Sequence, residues 1–235
     1  MRNYFTFNGN ASTSYGVWIS GNGTYNAPNR EYENISIPGR DGDLLGISTR
    51  LSNVPLVYKC GIVNSFDANL ASLRSMLLST IGYAELSDTY HTDEYRMAVY
   101  KGGLEPDMMR GLIAGEFELE FECKPQRYLT SGKTEVTITS GDKLTNPTPF
   151  AARPLIRVVG SGTLTIGSHV TTIAANSKSH IDIDCDMMDC FSDADNCNSL
   201  VSFSTNDFPE LPSGETTIQY SGLTSVKITP RWWRV

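Results

Sequence analysis

The sequence predicts a mainly β protein carrying one α-helix, and three observations predict it. Short runs rich in Thr, Ser, Ile, Val, Tyr and Phe are broken by turn residues, with 20 glycines and 11 prolines in 235 residues. The run Glu116-Phe117-Glu118-Leu119-Glu120-Phe121-Glu122 alternates without a slip, which is the period of a half-buried strand. One stretch, 66–80, repeats its apolar residues at helical spacing.

Taken in order, residues 1–60 read as strands joined by turns. Tyr4, Phe5 and Phe7 lead to Asn8-Gly9, and Val17-Trp18-Ile19 lead to Gly21-Asn22-Gly23. Ile35 and Ile37 then feed a knuckle, Pro38-Gly39-Arg40-Asp41-Gly42-Asp43, that Leu44-Leu45 lead out of. Pro38-Gly39 pairs a fixed φ with a residue free to take φ > 0, and Asp41-Gly42 is a second tight-turn signal. Spacing alone makes this a charged surface turn. Val54 to Tyr58 is a further strand.

In the helix, Leu70, Leu73, Met76 and Leu77 share one face, Ser65 or Asp67 is placed to cap the start, and Gly82 lies past the end. A lone amphipathic helix in a β-rich chain covers a sheet, so these side chains are core. Strands resume at 95–100, and after Lys101-Gly102-Gly103 comes the alternating run. Phe117, Leu119 and Phe121 face a core, and Glu116, Glu118, Glu120 and Glu122 stand together on the other face. Four like charges in a row repel, so that face is wet or opposed by cations. Pro125 interrupts the ladder.

Residues 136–153 read as a connector between a first domain, 1–135, and a second, 154–235. Leu155–Val159 and Thr163–Ile166 are strands, with Gly160-Ser161-Gly162 expected as the hairpin turn between them. No helix follows those glycines, so they cannot form a phosphate cradle. Strands follow at 170–174, 180–184, 200–203, 216–220 and 224–229, spaced as in a β-sandwich.

Composition narrows the function classes. A net charge of −7 argues against a protein that wraps nucleic acid, which needs a basic stripe. No apolar run is long enough to span a membrane, and the N-terminus lacks the apolar core of a signal peptide, so folding in a cytosol is expected. Five cysteines cannot all pair within one chain, and reduced thiols are expected. His91, His169 and His180 have no metal or triad partner at a recognisable spacing. Cys185, Cys190 and Cys197 lack the spacing of zinc knuckles. The acidic stretch from Asp182 to Asp195 invites calcium but lacks the glycine and closing glutamate of an EF-hand loop. No catalytic motif is present, and neither enzyme activity nor a cofactor or metal is expected.

Several segments carry a family resemblance. These are Phe5-x-Phe7-Asn8-Gly9, Ile37 to Asp43, Phe121-x-Cys123-Lys124-Pro125-Gln126 and Asn146-Pro147-Thr148. They continue with Ala152-Arg153-Pro154-Leu155-Ile156, Phe208-Pro209-x-Leu211-Pro212-x-Gly214 and Ile228-x-Pro230-Arg231-Trp232-Trp233. In their order and spacing the chain resembles the distal tail protein family of siphophages, the long-tailed, non-contractile phages. The resemblance implies an N-terminal β-sandwich or barrel-like ring domain with one α-helix, then a C-terminal galectin-like β-sandwich. It implies a homo-hexamer, in one or two stacked rings, at the virion tail tip, assembled in the bacterial host cytoplasm. The ring would join the tail tube protein and tape-measure protein to the tail-associated fibre or hub protein and a receptor-binding protein, and let DNA pass.

Within that plan Pro38, Gly39, Arg40, Asp41, Gly42 and Asp43 are expected at the ring interface, and Glu116, Glu118, Glu120 and Glu122 on the lumen. Trp232 and Trp233 point to opposite faces of a terminal strand, one into the core and one toward a partner. The alternative is a carbohydrate-binding host-adhesion module, although the His-x-Asn-Pro-Arg motif of sugar-binding galectins is missing. A hydrolase resting on scattered carboxylates is a distant third.

Overall fold

The computed structural model describes residues 2–21, 23, 25–108 and 114–235, so the Gly21-Asn22-Gly23 turn lies partly outside the described residues. The chain divides into two compact units, residues 1–127 with Val235, and residues 128–234. Strands dominate both, and the described residues contain one α-helix.

The first unit contains β1 (Phe5–Phe7), β2 (Asn10–Ala11), β3 (Val17–Ser20), β4 (Arg30–Ile35), β5 (Leu44–Leu51) and β6 (Val54–Val63). After α1 (Phe66–Ser79) come β7 (Ala84–Asp88), β8 (Glu94–Val99), β9 (Asp107–Met108) and β10 (Ala114–Leu129), whose last two residues belong to the second unit. The main sheet runs β2-β1-β7-β8-β10-β6-β3, with β9 alongside β10. It curls far enough for Ile19 of β3 to donate its N–H to Asn3 O, just ahead of β1, at 2.9 Å. Inside the curl, Phe5 stacks on Tyr58 with centroids 5.5 Å apart, and Phe121 sets its edge against both Phe5 and Tyr58.

The helix adds Phe66, Leu70, Leu73, Met76 and Leu77 to this core, each worth about 2 kcal/mol of burial. Its start differs from expectation. Ser65 makes no side-chain cap, because Asn64 and Ser65 both take left-handed φ, 81° and 47°, to swing the chain out of β6. Asp67 in the first turn places a negative charge at the positive end of the helix dipole.

The second unit contains β11 (Val136–Ile138), β12 (Lys143–Asn146), β13 (Leu155–Ile166), β14 (His169–Ile173), β15 (Ile181–Asp184) and β16 (Asp189–Ser192). It ends with β17 (Asp195–Asn196), β18 (Val201–Phe203), β19 (Gly214–Thr229) and β20 (Trp233–Arg234). The stretch read as a connector thus supplies β11 and β12, both paired with β19. Gly160-Ser161-Gly162 is not a hairpin turn either. It is a bend inside β13, matched by a bend at Gly222 in β19, where the pairing register shifts.

The bend demands glycine. A Cβ on Gly162, at φ 154°, would sit 2.1 Å from Ser221 O, and one on Gly222, at φ 80°, 2.7 Å from Ser161 O. Each long strand therefore serves both halves of one nine-stranded sheet. Leu155–Val158 pair with β15 and with 226–229 of β19, while Thr163–Ile166 pair with β14 and with 218–221. One core cluster gathers Ile156, Val158, Ile181, Ile183, Val226 and Ile228 from one half and Leu164, Ile166, Ile173 and Ile218 from the other.

Candidate functional site

The first feature is a two-stranded arm. Among the described residues β4 and β5 pair only with each other, in register from Tyr32↔Ile47 to Ile35↔Leu44. At the tip Arg40 N–H bonds Ile37 O at 3.2 Å across Pro38-Gly39, with Gly39 at φ 79°, a type II turn as the residue types demand. Every residue from Arg30 to Leu45 is exposed. That includes Tyr32, Ile35, Ile37, Leu44 and Leu45, the two leucines at 51% and 55%. An isolated hairpin is marginal in water, and contiguous exposed apolar side chains mark an interaction surface. Arg40, Asp41 and Asp43 crown it.

The second feature is an open groove of about 990 Å³ on the outer face of β3, β6 and β10. The predicted alternation in β10 holds, with Phe117, Leu119 and Phe121 buried and Glu116, Glu118 and Glu120 exposed along the groove. Two acidic residues missed in the sequence, Glu105 and Asp107, join them, and Asp107 lies directly across from Glu116. Like charges directly opposite destabilise a sheet, so this strand pair is not optimised for stability alone. Facing these five carboxylates are two cations, Arg2 and Lys59. Lys59 stands across from Glu118, and the Arg2 guanidinium lies over the Trp18 ring at 5.5 Å.

Glu122 is set apart from the row. It accepts hydrogen bonds from Lys101 Nζ and, at 2.7 Å, from Asn53 Nδ2. The Lys101 bond, then the Asn53 bond, holds its carboxyl below the ordinary value.

In the second unit the acidic stretch is met by cations from distant strands. Arg157 donates Nε and Nη2 to Asp182, both at 2.7 Å, and Arg231 grips Asp184 in the same two-pronged way. Lys178 pairs with Asp195. Sequence spacing could not reveal these partners, since each arginine lies far along the chain. Among the described residues no group of three or more His, Cys, Asp or Glu is arranged to hold a metal. His91 bonds Asp88 at 3.3 Å, His169 Nε2 lies 2.6 Å from the Asp207 carbonyl oxygen, and His180 lies 3.6 Å from Asp182. No nucleophile stands beside any of the three in these contacts except Ser179, an immediate neighbour of His180.

Trp232 is core. Trp233 is half-buried, stacked on Phe150 at 4.4 Å, and its indole N–H donates to Ala151 O at 2.9 Å. No helix among the described residues is long and apolar enough to cross a membrane.

Residues 12–123 match the family model described as phage tail protein RIFT-related domain. No curated protein matches the chain. Among solved structures, the chain is similar to the Dit protein of phage SPP1, described as a paradigm of the hub adsorption apparatus in phages infecting Gram-positive hosts. The TM-score is 0.70 at 14% identity, covering 97% of this chain and 98% of that one. It is also similar to a chain of the phage P2 baseplate in its activated conformation with calcium, at TM-score 0.57, 10% identity and 97% of each chain. The same baseplate with strontium gives TM-score 0.56 at 10% identity, over 96% of this chain and 97% of that one.

Proposed function

We propose, for a chain whose residues 12–123 match the phage tail RIFT-related family model and which shares the fold of the SPP1 hub protein, a structural role at a phage tail tip. The resemblance to the distal tail proteins read in the sequence is borne out by that match and that fold. The finer reading is a homo-hexameric ring that joins the tail tube to the fibre hub and lets DNA through.

The observation that carries it is the arm. A projecting hairpin with five exposed large apolar side chains and a charged tip needs a cover, and in a homo-oligomer a neighbour provides it. Arm and receiving patch are different surfaces, so the contact is head-to-tail, and a head-to-tail contact that closes by rotation makes a ring. Pro38 to Asp43 form the arm's leading edge in this interface. The acidic groove suits the lumen, because carboxylates repel DNA phosphates where a basic wall would hold them. Sixfold repetition would turn Glu116, Glu118 and Glu120 into a band.

The adhesion reading has less support. Among the described residues of the second unit, no aromatic side chain is exposed enough to serve as a sugar platform. Sedimentation at high protein concentration, alone and with the tail tube and hub proteins, tests the ring. A sixfold mass is expected in at least one condition, and a persistent monomer in both overturns the proposal.

A further inference from the structure

Three of the five cysteines, Cys185, Cys190 and Cys197, lie within one core cluster of the second unit, all buried and all free thiols. Strands β16 and β17 form an edge hairpin with Phe191 across from Asn196 and Ser192 across from Asp195. One step further, that register sets Cys190 opposite Cys197, and Cys197 N–H donates to Cys190 O at 2.7 Å. Residues directly opposite on antiparallel strands send their side chains to the same face, with Cα atoms about 5.5 Å apart when hydrogen-bonded. That lies inside the span of roughly 4.4–6.8 Å that a disulfide bridges.

Cys185 is placed differently. Asp184 pairs with Asp189, so Cys185 is only diagonal to Cys190. Diagonal neighbours stand about 7–8 Å apart, beyond that span.

We propose that Cys190 and Cys197 are a modification site, a thiol pair that closes into a disulfide across the edge hairpin on meeting a low-molecular-weight disulfide. The chemistry is two exchanges. The thiolate of one cysteine attacks a sulfur of R–S–S–R, forming a mixed disulfide and expelling R–S⁻, which takes a proton. The second cysteine's thiolate attacks the protein sulfur of that mixed disulfide and expels the other R–S⁻. Two protein thiols are oxidised, and one small disulfide is reduced to two thiols.

Access comes from the edge position. β17 is two residues long, Asp195 and Asn196 are exposed, and Asp193 turns the hairpin at a left-handed φ of 53°. Such an end opens locally at a small fraction of the global cost. In the closed hairpin, burial, then Asp189, then Cys197 pushes the Cys190 thiol up to about 12, so exchange proceeds through the opened form and is slow. The inference stands on the second unit alone and is independent of the tail-tip reading.

The test is to incubate the full-length native protein with glutathione disulfide, block remaining thiols, and record intact mass and a peptide map. The expected result is the loss of two hydrogen atoms with Cys190 linked to Cys197, reversed by a dithiol reductant, and retained in Cys185→Ala. Lasting glutathione adducts without a link, a link through Cys185, or no reaction until denaturant is added would each overturn it. The wild-type result decides the matter even if a variant fails to fold.

Discussion

Arg231 holds Asp184 through two parallel hydrogen bonds, Nη1 to Oδ1 at 2.7 Å and Nη2 to Oδ2 at 2.9 Å, and does so from a left-handed backbone with φ 59°. A non-glycine residue at such a φ carries strain of about 1 kcal/mol or more, so the ion pair fixes a chain end that would otherwise relax. Removing one partner of a buried pair strands the other charge. Arg231→Gln is therefore expected to destabilise the protein by about 2–4 kcal/mol, allowing for the partial exposure of Arg231. Urea unfolding checks this as a lower midpoint with an unchanged slope.

The same carboxylate sets a pH response. Burial alone would raise the Asp184 carboxyl, but the Arg231 hydrogen bonds, the Met187 and Asp186 N–H groups and the Arg231 charge together hold it below 3.8. Its folded pKa thus lies beneath its unfolded one. The stabilisation is fully present above about pH 4–5 and drains away as pH falls through the folded value. Melting curves from pH 6 down to pH 2 should show a steep acid limb in the wild type and a shallower one in Asp184→Asn.

Glycine at the two bends is a steric requirement. Gly162→Ala places Cβ against the Ser221 carbonyl oxygen and is expected to cost about 3 kcal/mol. Gly214→Ala is the control. Its φ of 86° is equally unfavourable to alanine, but nothing lies within 4 Å of the new atom, so about 1 kcal/mol is expected. Equal losses in thermal unfolding would contradict this account.

Charging the arm should separate assembly from folding. The double variant Leu44→Asp, Leu45→Asp alters two side chains that are exposed in the single chain. Stability should stay within about 0.5 kcal/mol of wild type, while ring formation is lost. Mass photometry alongside a melting curve reads both quantities.

For the acidic groove, Glu116→Lys, Glu118→Lys and Glu120→Lys belong together, and Glu122 is best left alone because it is tied to Lys101 and Asn53. With assembly first verified, DNA delivery by particles carrying the triple variant should fall. The same delivery rate as wild type would place this face away from the DNA path.

Much of the fold was legible in the sequence because local period and local burial agree. The helix face at Leu70, Leu73 and Leu77 and the alternation from Glu116 to Phe121 are buried and exposed as their spacing dictates. The misreadings share one cause, which is geometry set at long range. Gly160 and Gly162 look like a turn until Ser221 and Gly222 are seen to bend with them. Ser65 looks like a cap until Asn64 reverses the backbone ahead of it. Of the candidate surfaces, the Pro38–Asp43 tip was visible as a turn, but the exposure of the whole arm was not. Ile35, Leu44 and Leu45 read as ordinary strand residues. Similarly, Asp182 and Asp184 look metal-seeking only while Arg157 and Arg231 are out of sight.

The bent strands have a mechanical consequence. Since β13 and β19 each run through both halves of the second unit's sheet, one pair of strands ties the two halves together. A tensile load along either strand reaches the hydrogen bonds of both halves at once, and yielding then means breaking both stretches of the ladder together. Under force the β13–β19 pair should give way in a single step, at high load.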